Sequence, residues 1–155
     1  AIATLKGSTL FGDFSEAALE TLLAYFDVME GSKGDRLYEQ GDDGGGLYIV
    51  AAGTVMAKIR EVDGNERAVS RLDAPESFGE LALLLRGQRL VSIEAASPVT
   101  LFELSFESFR RLKRRNPDLC LLLIMAIVRR LGHVLDDSRD IIQRLLLRQF
   151  VELDG

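Results

Sequence analysis

The sequence predicts a mainly β fold with flanking helices, in which an antiparallel β-barrel or jelly roll lies between an N-terminal helix and a long C-terminal helix. Two observations carry this prediction. Between residues 36 and 104, short apolar runs rich in β-branched and aromatic residues alternate with glycine- and aspartate-rich turns, as in barrels and sandwiches. Helical periodicity of apolar residues is confined to the two ends of the chain.

The N-terminal helix is predicted over residues 15–26. Ser15 is a favourable N-cap residue, because its hydroxyl can accept a hydrogen bond from the first turn. The apolar residues at helical spacing are Ala18, Leu19, Leu22, Leu23 and Phe26. Gly31 and Gly34 end this pattern, and the β region follows.

Short strands with tight turns are predicted in the β region. The strands cover residues 37–38, 47–50, 54–60, 68–72, 91–96 and 99–104. Turn chemistry separates them: the run 41–46 contains four glycines, residues 63–66 read Asp-Gly-Asn-Glu, and Pro98 divides the last two strands. This spacing is typical of a barrel that is closed or folded into two sheets.

Two helices are predicted after the strands. Ser105 caps the first, which carries Phe106, Phe109 and Leu112 at helical spacing. Asn116 precedes the second, and Pro117 suits its first turn. We expect one domain over residues 8–135, continuous with a helix over residues 117–150, because no repeat or linker divides the 155 residues.

Composition limits the classes of function. The net charge of −5 at pH 7 argues against a general nucleic-acid binder, which needs a basic face. The single cysteine, Cys120, cannot form an internal disulfide, which indicates a reducing compartment and hence a cytoplasmic protein. The longest apolar run, residues 119–128, is far short of the ~20 residues that span a bilayer.

No constellation of residues indicates catalysis or metal binding. The only histidine, His133, has no partner at metal-ligand spacing. The pairs Asp42-Asp43 and Asp136-Asp137 could suggest a cation site, but aspartates are common in turns, and adjacent carboxylates on a helix face different ways. Because a nucleophile, a base and an orienting residue do not occur together, we expect neither an enzyme nor a metal site.

In the most informative stretch, a strand-like segment runs into a glycine turn at Phe78-Gly79-Glu80. An apolar helical piece follows over residues 81–85, and the stretch reaches Arg89. A carboxylate can accept hydrogen bonds from a sugar hydroxyl, and backbone N–H groups at a helix start favour an anion. An arginine can neutralise a phosphate through a forked pair of hydrogen bonds. The stretch therefore indicates a site for a small, charged, sugar-bearing ligand.

In this pattern the chain resembles the cyclic nucleotide-binding domain family, from about residue 10 to about residue 135. Several segments carry the resemblance in the family's order. They are residues 41–42, 47–50, 53–55, 78–83, Arg89 and residues 92–95. A Phe-Gly-Glu tripeptide alone would be weak, but the ordered set is specific for the fold. Residues 78–91 are called the cassette below, after the phosphate-binding cassette of that family.

The resemblance implies a role for each matching position. Glu80 would accept a hydrogen bond from the ribose 2′-hydroxyl, and Gly79 would let the backbone approach the sugar. The N–H groups of Leu81 and Ala82 would face the cyclic phosphate, and Arg89 would supply positive charge. Phe78, Leu90 and Val91 complete the predicted ligand-binding set. The implied ligand is cyclic AMP rather than cyclic GMP, with no further cofactor and with a C-terminal helix residue closing over the purine.

The cassette departs from the family's pattern after the arginine. Leu90 and Val91 stand where the family usually has small residues, often with a hydroxyl, and Pro75 replaces a common glycine. A bulky Leu90 beside the anion leaves two alternatives open: a degenerate barrel that serves as a dimerisation or docking domain, or a pocket for another effector. Glu80 could also simply pair with Arg89 and staple the turn.

The last helix contains an apolar seam in steps of three and four, which predicts a homodimer through a parallel helix pair. The seam residues are Val128, Leu131, Leu135, Ser138, Ile142 and Leu145. The residues expected to face the chain's own barrel are Leu119, Leu122, Leu123 and Ala126.

In the helix before the last one, five basic residues form a cluster that is either a solvated helix end or a contact for a phosphate-rich partner. They are Arg110, Arg111, Lys113, Arg114 and Arg115. Related transcription factors carry a winged helix after the long helix. These 155 residues leave no room for a winged helix, so we expect no direct DNA contact from them.

Overall fold

The computed structural model describes residues 1–137 and residues 139, 140, 143 and 147. The helices are α1 (Ile2–Gly7), α2 (Glu16–Leu23), α3 (Glu80–Leu85), α4 (Phe106–Arg115) and α5 (Pro117–Asp137). The strands are β1 (Asp27–Gly31), β2 (Arg36–Tyr38), β3 (Leu47–Ala52), β4 (Thr54–Arg60), β5 (Glu66–Asp73), β6 (Ser77–Phe78), β7 (Ser92–Ala95) and β8 (Val99–Leu104).

The strands form two four-stranded antiparallel sheets, in the orders β1-β8-β3-β6 and β2-β7-β4-β5. Apolar side chains from both sheets meet between them. This inter-sheet core consists of Tyr48, Val50, Val55, Ala57, Phe78, Ile93, Ala95, Val99 and Leu101. The architecture confirms the predicted mainly β jelly roll with flanking helices.

A second apolar core joins the helices to the first sheet. Ile49, Phe102 and Leu104 contribute from the strands, and Leu123 and Ile127 contribute from α5. These side chains are at most 8% exposed. Because α5 buries one stripe against this core, its opposite stripe faces away from the domain.

The capping predictions are confirmed. The Ser15 hydroxyl accepts a hydrogen bond from Ala18 N–H at 3.1 Å, and the Ser105 hydroxyl accepts one from Ser108 N–H at 3.1 Å. Pro117 is the first residue of α5. Side-chain caps fix helix starts locally, which explains why the sequence identifies them well.

Two elements were not predicted. Helix α1 has only six residues and no side-chain cap, so it carries little signal. Strand β1 was overlooked because Gly31 was interpreted as a break, whereas it is paired with Val99 in the sheet. Val28 is 65% exposed, because β1 lies at the edge of its sheet. The apolar pattern of this strand is also too weak to predict it from the sequence.

Helix α5 agrees with the sequence prediction only in part. Leu119, Leu123 and Ala126 are buried as expected, but Leu122 is 47% exposed. Its side chain lies outside the stripe of α5 that packs against the core. In the predicted seam, Leu131 instead packs partly against the domain's own core. Val128 and Leu135 are exposed. Ser138, Ile142 and Leu145 lie outside the described residues.

The predicted bounds of the domain at 8–135 and of the helix at 117–150 stay predictions. Among the described residues, no helix combines the length and the apolar character needed to cross a bilayer.

Candidate functional site

The cassette begins where β6 ends and the backbone turns sharply. Gly79 follows Phe78 with φ +80°, in the left-handed region. A Cβ atom at this position would lie 2.6 Å from the Gly46 carbonyl oxygen. Glycine is therefore required both for the backbone angle and for the close approach of two backbone segments.

Helix α3 follows directly and is anchored by Leu83, with Leu84 packed partly against the same core. Leu83 is 3% exposed and belongs to the core shared with α5. Ala82 N–H donates to the Gly79 carbonyl at 3.1 Å, so a phosphate at this turn would share that donor. Leu81 is 38% exposed, and its backbone lies at the solvent-facing start of the helix.

The glycine-rich turn before β3 holds the far end of the cassette. Gly41 N–H donates to the Arg89 carbonyl at 2.8 Å, and Arg89 N–H donates to the Asp42 carbonyl at 2.7 Å. Gly44 N–H donates to the Gly87 carbonyl at 2.9 Å. These backbone bonds fix the position of Arg89 independently of its side chain.

The Arg89 side chain turns inward and is only 9% exposed. Its guanidinium carbon lies 4.0 Å from the centre of the Tyr38 ring and 5.8 Å from that of Tyr48. Its Nη2 donates to the Gly46 carbonyl at 3.1 Å. A Cβ atom on Gly44 would lie 3.1 Å from Arg89 Cδ and Nε, so the absence of a side chain at Gly44 makes room for the arginine.

Tyr38, Tyr48 and Phe78 form an aromatic cluster beside the guanidinium. The Tyr48 and Phe78 rings are stacked, with centroids 5.2 Å apart, and the Tyr38 and Tyr48 centroids are 5.9 Å apart. Burial raises the pKa of Tyr38 to about 12, and the nearby Arg89 charge only partly offsets this effect. Burial also raises the pKa of Tyr48. Both phenols are therefore neutral at physiological pH, and the cluster supplies an aromatic face to the cation.

Glu80 pairs with α5, not with Arg89. Its Oε1 lies 2.8 Å from Arg130 Nε, and the Glu80 side chain is 12% exposed. The alternative that Glu80 staples the turn to Arg89 is thus wrong. The physical reason is that Arg89 points into the barrel over Tyr38, whereas Glu80, at the start of α3, faces α5.

Arg130 connects three parts of the chain. Besides Glu80, its Nη1 donates to the Thr9 hydroxyl at 2.9 Å and to the Ser77 hydroxyl at 2.8 Å. Its Nη2 donates to the Ser77 carbonyl at 3.2 Å. One side chain on α5 therefore holds the N-terminal segment, β6 and the carboxylate of the cassette.

Leu90 and Val91 differ in their surroundings. Leu90 is 76% exposed, while Val91 packs partly against the inter-sheet core. The bulk of Leu90 is consequently not wedged between Arg89 and the aromatic cluster.

Several residues of this site were not identified from the sequence. They are Tyr38, Tyr48, Gly44, Gly46 and Arg130. The glycine run offered a signal, because three glycines in a row exceed what a simple turn needs. Nothing in a single sequence links position 130 to position 80, since this contact depends on how α5 packs.

The site offers no set of metal ligands within the described part of the chain, where no three His, Cys, Asp or Glu side chains converge. An inward arginine, a glycine turn and an oriented carboxylate are brought together at one edge of the barrel.

Comparison with known proteins agrees with this geometry. The profile of the cyclic nucleotide-binding domain matches residues 29–116. The cyclic AMP receptor protein of Thermus thermophilus is 35% identical over 127 residues, which cover 82% of this chain and 59% of the relative. A cAMP-activated global transcriptional regulator from Pasteurella multocida is 31% identical, over 75% of this chain and 56% of the relative. The chain thus spans less than two thirds of the length of these curated relatives.

Two solved structures show the same fold. The N-terminal domain of a transcriptional regulator from Streptomyces coelicolor A3(2) superposes with a TM-score of 0.77 at 27% identity, covering 87% of this chain and 94% of that one. The regulatory domain of Toxoplasma gondii PKA, solved with cAMP, superposes with a TM-score of 0.64 at 32% identity, covering 71% and 42%. The chain belongs to the cyclic nucleotide-binding domain family.

Proposed function

We propose that this chain is a cytoplasmic regulatory sensor domain that binds a cyclic purine nucleotide, cyclic AMP in preference to cyclic GMP, and relays binding through α5. The observation that carries the proposal is that an inward Arg89 and a Glu80 oriented by Arg130 both lie beside the Gly79 turn. These groups match a phosphate and a ribose hydroxyl, respectively. The domain acts by binding, without a catalytic step.

The geometry supports a distinct role for each group. Arg130 engages Oε1 of Glu80, which leaves Oε2 to accept the ribose 2′-hydroxyl. Arg89 uses Nη2 for the Gly46 carbonyl, and its remaining N–H groups are donors for the phosphate. The N–H groups of Leu81 and Ala82 add partial positive charge at the same place.

Cyclic AMP is the favoured ligand for two reasons. The Thermus thermophilus relative is a cyclic AMP receptor protein, and the Toxoplasma gondii neighbour was solved with cAMP. Leu90 lacks the hydroxyl that usually follows the arginine in this family, but its side chain is exposed and can turn aside. Loss of that hydroxyl weakens the ligand's hydrogen bonding without closing the site.

The relay rests on contacts between the cassette and α5. Arg130 pairs with Glu80, and Leu83 of α3 shares a core with Leu123 and Ile127 of α5. A ligand that draws the carboxylate and α3 toward the ribose therefore shifts the packing of α5. Ligand binding then selects one position of α5 over another, as a population shift.

The exposed stripe of α5 supports a homodimer as the receiver of this signal. Leu121, Met125, Val128 and Leu135 are each between 48% and 60% exposed. They recur in steps of four, three and seven, which is the spacing of a helix-pair seam. Two copies packed along this seam would bury apolar surface that one copy leaves in water.

The test is calorimetric titration with cyclic AMP and cyclic GMP. Wild type should bind cyclic AMP more tightly than cyclic GMP. Arg89→Gln should weaken binding by at least ~10-fold, because a charge-assisted hydrogen bond is worth about 1.5–3 kcal/mol. The matched control is Arg71→Gln, because Arg71 is an exposed arginine on β5; this variant should bind as wild type does.

Two results would overturn the proposal. One is no heat with either nucleotide at millimolar concentration, and the other is binding that Arg89→Gln leaves unchanged. The variant Leu90→Ser distinguishes the proposed sensor from a degenerate barrel that does not bind nucleotide. If only this variant binds, the natural chain is a dimerisation or docking domain, and if wild type binds at micromolar concentration, that alternative is excluded.

A further inference from the structure

The corner between α4 and α5 concentrates positive charge on an acidic protein. Five of the six residues 110–115 are basic, while the whole chain carries −5. In the part of the chain that the structure describes, none of the five basic side chains forms an ion pair. The helix dipole favours positive charge in the last turn of α4, where Lys113, Arg114 and Arg115 lie, but this charge remains available to an anionic partner.

A groove of about 500 Å³ lies beside this charge, between α2 and the start of α5. Its floor and walls include Ala17, Ala18, Pro117 and Leu122, and Arg115 stands at its edge. We call it the corner groove. Leu122 is 47% exposed there, although the sequence had assigned it to the core.

The walls of the corner groove are fixed relative to each other. Asn116 Nδ2 donates to the Tyr25 hydroxyl at 2.6 Å, which ties the α4–α5 turn to the end of α2. The guanidinium carbon of Arg111 lies 5.6 Å from the centre of the Tyr25 ring. A groove held open in this way can accept a side chain without first rearranging.

The basic side chains divide between two sides of α4. Ser108, Phe109 and Leu112 are buried against the domain. Arg111 and Arg115 are four residues apart and so lie on one side of α4. Arg111 lies beside Tyr25, and Arg115 lines the corner groove. Lys113 is exposed and, from the helical angle, projects to the other side of α4.

We propose that the corner groove is a docking site for an acidic protein segment that carries an apolar side chain. The apolar side chain fits between Ala18 and Leu122, and its flanking carboxylates meet Arg111 and Arg115. Arginine suits this role because its planar fork binds a carboxylate with two hydrogen bonds. The proposal concerns a different surface from the cassette and does not depend on nucleotide binding.

The surroundings favour an acidic segment over the other polyanions. Asp118 lines the corner groove, and Glu16 and Glu20 are exposed on the adjacent helix α2. A nucleic-acid duplex presents a charge about every 1.7 Å over its whole length, so it would overlap these carboxylates. A short segment can place its few carboxylates on the arginines alone. An anionic membrane would likewise cover the acidic residues.

The test uses fluorescence anisotropy with a labelled synthetic peptide, Asp-Glu-Leu-Asp-Glu, and the full chain at low ionic strength. We expect saturable binding that weakens as salt is added. Arg115→Glu should weaken binding about 10-fold, whereas the matched control Lys113→Glu, with the same change of charge, should weaken it about twofold or less. Replacing the peptide's leucine with serine should also weaken binding.

Circular dichroism spectra and urea denaturation verify that Arg115→Glu is folded. The proposal is overturned if the peptide does not bind, or if Lys113→Glu weakens binding as much as Arg115→Glu does. It is also overturned if duplex DNA or phosphatidylserine vesicles bind more tightly than the peptide at the same salt concentration. Because cyclic AMP binding is measured separately, failure of this proposal is distinguishable from failure of the proposed nucleotide site.

Discussion

Replacing Arg130 with methionine tests the connection between α5 and the cassette without any ligand. Methionine keeps an apolar stem of similar length but removes every donor. The structure assigns Arg130 contacts of 2.8 Å to Glu80, 2.9 Å to Thr9, and 2.8 and 3.2 Å to Ser77. The variant therefore leaves a carboxylate that is 12% exposed without its cation.

The expected cost follows from these contacts. The ion pair with Glu80 contributes about 2 kcal/mol, since both side chains are mostly shielded from water. The two bonds to the buried Ser77 contribute about 1 kcal/mol together, and the bond to the exposed Thr9 contributes close to nothing. Arg130→Met should thus lower the free energy of unfolding by about 3 kcal/mol, and Tm by about 6–12 °C for a chain of this size.

Urea denaturation followed by circular dichroism measures this change. Arg129→Met is the matched control, because Arg129 is exposed and its described hydrogen bond reaches Met125 O at 3.4 Å. The control should change stability by less than about 0.5 kcal/mol. In a double-mutant cycle with Glu80→Gln, a coupling energy of about 1–2 kcal/mol is expected. A loss below about 0.5 kcal/mol for Arg130→Met, or no coupling with Glu80, would refute the reasoning.

Three further predictions follow from the same structure. Gly79→Ala should lower the free energy of unfolding by about 2–4 kcal/mol in urea denaturation, because φ is +80° and the added Cβ would lie 2.6 Å from the Gly46 carbonyl; Gly34→Ala, also at positive φ but with nothing within 4 Å, should cost about 1 kcal/mol. Burial raises the pKa of Tyr38 from 10.0 to about 12, so the folded state holds a proton that the unfolded state loses. The free energy of unfolding should therefore fall by about 2 kcal/mol as pH rises from 10 to 12, and Tyr38→Phe should remove this part of the fall. Val128→Glu places a charge in the exposed stripe of α5 and should shift the sedimentation coefficient from that of a dimer toward that of a monomer. Val62→Glu, in the exposed β4–β5 turn, should not.

Local signals in the sequence predicted most of the fold. Ser15, Ser105 and Pro117 mark helix starts because capping depends on neighbouring residues only. Edge strand β1 was missed because Val28 faces solvent and Gly31 resembles a terminator. Features that depend on packing were not predicted. An example is Leu122, whose exposure depends on the angle at which α5 crosses the core.

The same division applies to the candidate site. The local turn at Gly79 and the positions of Glu80 and Arg89 were apparent from residue types and spacing. The partner of Glu80 was not, since Arg130 is reached only through the packing of α5. The inward turn of Arg89 over Tyr38 likewise depends on the room that Gly44 leaves, which becomes apparent only in three dimensions.

The central claim is that Glu80 accepts the ribose 2′-hydroxyl of a cyclic nucleotide bound at the cassette. The most direct measurement is calorimetric titration of wild type and Glu80→Gln with cyclic AMP and with its 2′-deoxy analogue. Wild type should lose at least ~10-fold in affinity for the analogue, and Glu80→Gln should discriminate between the two ligands about twofold or less, a coupling of about 1 kcal/mol or more. Equal affinity of wild type for both nucleotides, or the same discrimination in the variant, would contradict the account.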